Sequence, residues 1–185
     1  MTNDFHVDEF IELLRRRDYS AAGRLVQRCL PDDYSSGMPL IGPKGEDIER
    51  IMTCHPKILS QLSPERMEEL RLAAAIFSLG LRGRPSKWLP EGFRTGLLMD
   101  NDSAVRMVTF CAAHLRDLTR YRETGVRRVR IIGARNEEPK YQSCASCRQL
   151  DGTVWGVDQV PELPFYACTH RLGCRCILVV AGMKG

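Results

Sequence analysis

The chain has 185 residues, 43% hydrophobic and 27% charged, with a net charge of +4 at pH 7. These values suit a globular protein with a buried core, long enough for two small domains or for one domain with an accessory module. No stretch approaches the ~18 apolar residues of a membrane helix, and the start, MTNDFHVDEF, lacks the basic head and apolar run of a secretory signal.

The expected location is therefore cytoplasmic, where thiols stay reduced. There, clustered cysteines more often bind metal or do redox work than pair as disulfides. That matters because five of the eight cysteines fall between Cys144 and Cys176.

In chain order, VDEFIELLRRRDYSAAGRLVQRCL places Phe10, Leu13, Leu14, Ala21, Leu25, Val26 and Leu30 near helical spacing. Asp18 lies between the halves as a cap for a second helix, which predicts an αα-hairpin. No second copy follows, which argues against a helical solenoid.

PDDYSSGMPLIGPKGED reads as a loop. Its GPKG lacks the spacing and the Lys-Ser/Thr ending of a phosphate loop. In MTCHPK, Cys54 and His55 are neighbours whose side chains diverge on a helix, and Pro56 predicts the helix end.

SPERMEELRLAAAIFSLGL carries the strongest helix signal, with Ser63 as N-cap, Pro64 at the first position, and Glu65, Glu68 and Glu69 in the early turns. Its apolar stripe is Leu70, Ala73, Ala74, Phe77 and Leu81. RGRPSKWLPEGFRTG, rich in Pro and Gly, is the connector that divides a helical domain, residues 1–100, from residues 101–185.

DSAVRMVTFCAAHLRDLTRYRE predicts a long helix capped by Asp102 or Ser103, with Val105, Val108, Cys111, Ala112, Leu115 and Leu118 on one face. Cys111 and His114, i and i+3, are placed to share a ligand, against the plainer reading of Cys111 as a packed small hydrophobe. VRRVRII then reads as a strand, RQLDGTVW as a hairpin turning at Asp151-Gly152, and CRCILVV as a closing strand. The fold class is α+β: a mainly helical N-terminal domain followed by a small β-rich, treble-clef-like module.

Between Arg116 and Arg148 the chain has nine basic residues against Asp117, Glu123, Glu137 and Glu138. This is either a solvated face or a surface for an anionic partner such as nucleic acid.

The candidate metal ligands are Cys144, Cys147, Cys168, His170, Cys174 and Cys176. The C-x-x-C of Cys144 and Cys147 lets one tight turn aim two thiolates at a point about 2.3 Å from a zinc ion. The second pair comes from Cys168, Cys174 and Cys176, with His170 in reserve. Cys174 and Cys176, two apart on extended chain, lie on one face.

A module of roughly 45 residues buries too little apolar surface to hold itself together, and structural zinc contributes about 10–16 kcal/mol in finger peptides. The expectation is one structural Zn2+ held by four of the six. The alternatives are a thiol redox pair, which wants a helix N-terminus where a hairpin is expected, and reduced cysteines without metal. Catalysis at the metal would need an acid or base such as Asp151 or Asp158, and Asp151 is already explained by its turn.

The pieces YRETGVRRVRII, CASCRQLDGTVW, PELPF and GCRCILVV resemble the C-terminal module of the phage Mu F-like head-morphogenesis proteins, minor capsid proteins of tailed phages. The resemblance covers about the last 80 residues. It implies scaffold or metal roles for Cys144, Cys147, Leu150, Asp151, Gly152, Cys174 and Cys176, and carries no catalytic residue.

The sequence thus points to a non-enzymatic zinc-binding protein with a protein partner, phage-derived to the extent of that resemblance. The alternative is a nucleic-acid-binding or nuclease-like zinc-finger protein using the basic segment.

Overall fold

Val7–Arg15 and Tyr19–Cys29 form helices α1 and α2. They are joined through Arg17, whose φ of 60° reverses the chain. Asp18 caps α2, its carboxylate accepting from the Ala21 N–H at 2.9 Å. In this computed structural model the described residues are 6–29, 45–79, 84–135, 138 and 142–182. Leu30, most of the GPKG loop, Leu81, Glu137 and Lys140 lie outside them.

Gly45–Thr53 forms α3, which ends where Pro56 requires it to, and a 3-10 turn covers Lys57–Leu59. Helix α4, Pro64–Ser78, begins at the expected cap, with the Ser63 Oγ accepting from the Arg66 N–H. Its middle departs from a single stripe: Leu72 to Ile76 are all buried. Small residues there let the helix be packed from several sides, which is the signature of a central helix.

The 23-residue α5, Asn101–Glu123, is capped by Asp100 rather than Asp102 or Ser103. The Asp100 carboxylate accepts from the Ser103 N–H at 2.7 Å. Asp102, the second helical residue, accepts from the Ser86 N–H at 2.8 Å and so ties down the 3-10 turn Pro85–Trp88.

The C-terminal part is a three-stranded antiparallel sheet in the order β2-β1-β3, with β1 Arg128–Ile132, β2 Val154–Gly156 and β3 Ile177–Val180. Arg130 sits opposite Val154 on one side and Val179 on the other. Alternation along β1 buries Val129 and Ile131 and turns Arg128 and Arg130 away. Val129 packs with Leu118 and Tyr121 of α5 and with Val157.

The α+β class holds: a mainly helical body with a small antiparallel sheet. One hydrophobic core runs from Phe10 through α3, α4 and α5 to Ile131 and on to Cys147, Cys168, Cys174 and Cys176.

One local expectation fails. The residues before Asp151 are a short helix, α6, Ala145–Leu150, and not the first strand of a hairpin. Asp151-Gly152 does make a turn, with Gly152 at φ +80°, but it joins α6 to β2. The Asp151 carboxylate accepts from the Gly133 N–H at 2.9 Å and pairs with Arg135, and the Gly152 N–H bonds the Ile131 carbonyl at 2.8 Å. Strand β1 therefore pairs directly with β2, leaving 145–150 free to be helical.

Candidate metal centre

The C-x-x-C is built on the first turn of α6. Cys144 is the N-cap, in extended conformation, and Cys147 is the third helical residue. Side chains at these two positions are neighbours for the same reason that an N-cap and its N3 partner form a capping box. A four-residue segment thus brings two sulfurs to one place.

The other limb comes from residues 165–176. A turn at Phe165–Cys168 sets Cys168, and a second turn, His170–Gly173, redirects the chain into β3. Gly173 has φ +73°, which lets Cys174 face inward. The Cys174 N–H points at the Met107 sulfur of α5, 3.2 Å away.

Together the limbs concentrate five sulfurs. Those of Cys144, Cys147 and Cys168 lie within 4.8 Å of one another, and so do those of Cys147, Cys174 and Cys176. Cys144 and Cys168 are 3.8 Å apart, and Cys147 and Cys174 are 3.9 Å apart. A regular tetrahedron with zinc–sulfur bonds of about 2.3 Å has sulfur–sulfur edges of about 3.8 Å. The two groups share Cys147, and none of the five cysteines is covalently paired. They fit a thiolate-bound metal ion. Cys147 and Cys174 are almost fully buried, as members of a closed structural site would be.

Burial works against ionisation of Cys144. The N–H groups of Cys147 and Thr169 and the neighbouring Cys147 and Cys168 thiols outweigh it, and hold the pKa down at about 7. A thiolate near neutral pH is the form that binds metal. The same finding removes the sequence argument against a redox pair, since a helix, not a hairpin strand, follows Cys144. What distinguishes this site from a bare dithiol is that each C-x-x-C sulfur meets a cysteine of the second limb.

Comparison with family models, with curated proteins and with solved structures gives no match. The site therefore stands on its own geometry.

His170 belongs to neither group of sulfurs. Its Nδ1 accepts from the Leu172 N–H at 3.0 Å, inside the turn that precedes Cys174. Cys111 and His114 do not converge on a common ligand group either. Cys111 is buried beside Cys54, and that thiol contact, with burial, pushes the Cys111 thiol up. Cys54 itself donates toward the carbonyls of Ile51 and Val108.

His114 instead lines a cleft of about 120 Å³ with Cys174, Cys176 and Leu163, a feature without a sequence signal because it joins α5 to two distant loops. Asp158 pairs with Arg122 at 2.8 Å and Asp151 is engaged at Gly133, so both candidate acids have structural partners.

Four arginines of the basic segment are internally paired. Arg116 and Arg120 reach Asp117, Arg122 reaches Asp158, and Arg135 reaches Asp151. Arg127 and Arg128, at the entry to β1, are exposed with no ion pair among the described residues. No helix among the described residues is long and apolar enough to cross a membrane.

Proposed function

We propose that this chain is a non-enzymatic interaction or assembly protein whose C-terminal module is held by one structural Zn2+, with Cys144, Cys147, Cys168 and Cys174 as ligands. The observation that carries the reading is the pair of sulfur contacts, 3.8 Å for Cys144–Cys168 and 3.9 Å for Cys147–Cys174, which match two edges of a zinc–thiolate tetrahedron. Two ligands come from each limb, so one ion clamps α6 to the segment entering β3. Bound there, the ion supplies cross-linking, not reaction chemistry.

The likeness of the last 80 residues to the head-morphogenesis tail module supports an assembly role over an enzymatic one. The engaged state of Asp151 and Asp158 agrees with it. A cytoplasmic setting, where thiols stay reduced, suits a site built from thiolates. Among the described residues of the basic segment, the nucleic-acid reading keeps Arg127, Arg128 and Arg148 as exposed arginines without an ion pair, a small footprint for backbone binding.

Elemental analysis of the purified chain tests the metal, with one zinc per chain expected. Cys144→Ser and Cys168→Ser should each abolish stoichiometric zinc. Retention of full zinc by both variants would remove these ligands from the site and sink the proposed set.

A further inference from the structure

We infer that Cys176 is a thiol oxidation site: a small peroxide entering the cleft beside α5 joins Cys176 to Cys147 as a disulfide and so withdraws one ligand from the metal site. The inference rests on the ligand set proposed above, which leaves Cys176 as a fifth sulfur. A tetrahedral ion takes four. The Cys176 sulfur nevertheless lies within 4.8 Å of both Cys147 and Cys174. Disulfide formation would close a gap of at most 4.8 Å to about 2.05 Å.

Access is the second observation. Cys176 forms part of the wall of the cleft that Phe110, His114, Asp117 and Leu163 also line, whereas Cys144, Cys147 and Cys168 do not line it. Its volume of about 120 Å³ is several times the ~30 Å³ share of one water, ample for hydrogen peroxide.

A third observation concerns what a peroxide would meet there. His114 is only 7% exposed and makes no hydrogen bond among the described residues. It therefore offers a polar partner inside an otherwise largely apolar wall. Of the two cysteines in that wall, Cys174 is a proposed ligand and Cys176 is the free one.

The chemistry balances with hydrogen peroxide as the oxidant. The Cys176 sulfur attacks one peroxide oxygen. The S–O bond forms as the O–O bond breaks, and the departing hydroxide takes up the thiol proton as water. The Cys147 sulfur then displaces the sulfenic hydroxyl, forming the S–S bond. That hydroxyl leaves as a second water with the Cys147 proton, or with a solvent proton when Cys147 is metal-bound. Two thiols are oxidised by two electrons, and one peroxide is reduced to two waters.

The test treats the purified full chain with hydrogen peroxide, follows zinc release with a chelating dye, and maps disulfides by peptide mass spectrometry. The expected result is a Cys147–Cys176 disulfide that appears together with zinc release. Cys176→Ser should keep one zinc per chain and lose the peroxide-driven release.

Release from Cys176→Ser at the wild-type rate would overturn the inference, as would a disulfide map in which Cys176 stays reduced while zinc leaves. Failure of Cys176→Ser to bind zinc makes Cys176 a ligand, which overturns the inference and leaves the metal reading standing. A wild-type chain without metal sinks the metal reading, and the peptide map of that same protein still decides whether Cys176 and Cys147 pair. The map needs no variant, so a poorly folding mutant does not block it.

Discussion

Gly173 lies directly under Met107. A Cβ built at Gly173 would come within 2.6 Å of the Met107 Cε and 2.7 Å of its sulfur. The same sulfur receives the Cys174 N–H at 3.2 Å, so one methionine of α5 both covers the glycine and positions the next residue, a proposed ligand. A methionine end can usually move aside, but Met107 is fully buried and moving it gives up that contact. The positive φ of 73° adds a backbone penalty for any residue with a Cβ. Gly173→Ala should cost about 1–3 kcal/mol, read from a denaturant midpoint, and should weaken zinc retention against a chelator. Unchanged zinc retention would detach the Met107 contact from the metal site.

Removing the metal should loosen the sheet before it touches the helical body. The proposed ligands would tie α6 to the approach of β3, while α4 is packed from several sides and holds none of them. Hydrogen exchange after chelation should therefore speed up at the Ile131 amide, which donates to the Thr153 carbonyl, and at the Gly152 amide, which donates to the Ile131 carbonyl. The amides of Leu70 to Ile76 should change little. A loss of even about 2 kcal/mol would lower Tm by roughly 4–8 °C in a chain of this size. Equal acceleration in α4 and in the sheet would mean that the molecule opens as one unit.

Thiol reactivity should sort by environment. In metal-free folded protein, Cys144 should alkylate first, half-maximally near pH 7, because the amides of Cys147 and Thr169 favour its thiolate against the opposing effect of burial. Cys111 should lag far behind, since the Cys54 thiol and burial both favour its protonated form. Cys54, buried and donating toward Ile51 and Val108, should also react slowly because the reagent cannot reach it. A time course of alkylation read by peptide mass spectrometry checks the order. Cys111 reacting as fast as Cys144 would contradict the buried pairing.

Local signals were legible where one short segment decides the outcome. Ser63-Pro64, Asp18 and Pro56 fix helix ends through their own backbone chemistry, and each acts where its sequence position says it should. Cys144 and Cys147 were readable as a pair because four residues suffice to bring them together.

The errors share a different cause. Asp102 looked like the cap of α5, but it is engaged at Ser86, sixteen residues away, and Asp100 takes over. RQL before Asp151 looked extended, but β2 takes β1 as its partner in place of RQL, which leaves those residues to a helix. His114 carried a sequence signal only through Cys111, whereas its neighbours across the cleft, Leu163 and Cys176, arrive from elsewhere in the chain. Each failure is a long-range contact overriding a local preference.

His114 also sets a pH signature. Burial pushes its pKa down to about 4 from an ordinary 6.5, against the opposing pull of Glu162, Asp117 and Cys174, while Arg122 lowers it further. A base whose pKa falls on folding binds fewer protons in the native state than in the unfolded one, so stability rises with pH. The contribution is fully present above about pH 6.5 and is lost as pH falls toward 4, amounting to about 3 kcal/mol. His114→Gln, which cannot take up that proton, should unfold at a urea midpoint below or near wild type at pH 7. The difference should then shift in its favour at pH 5.5 and again at pH 4.5. Both proteins would be measured with the same zinc concentration, so acid release of the metal weakens them alike and drops out of the difference. Parallel stability curves for the two proteins across this range would mean that His114 reaches water in the native state, and that the wall of the cleft is more open than its 7% exposure implies.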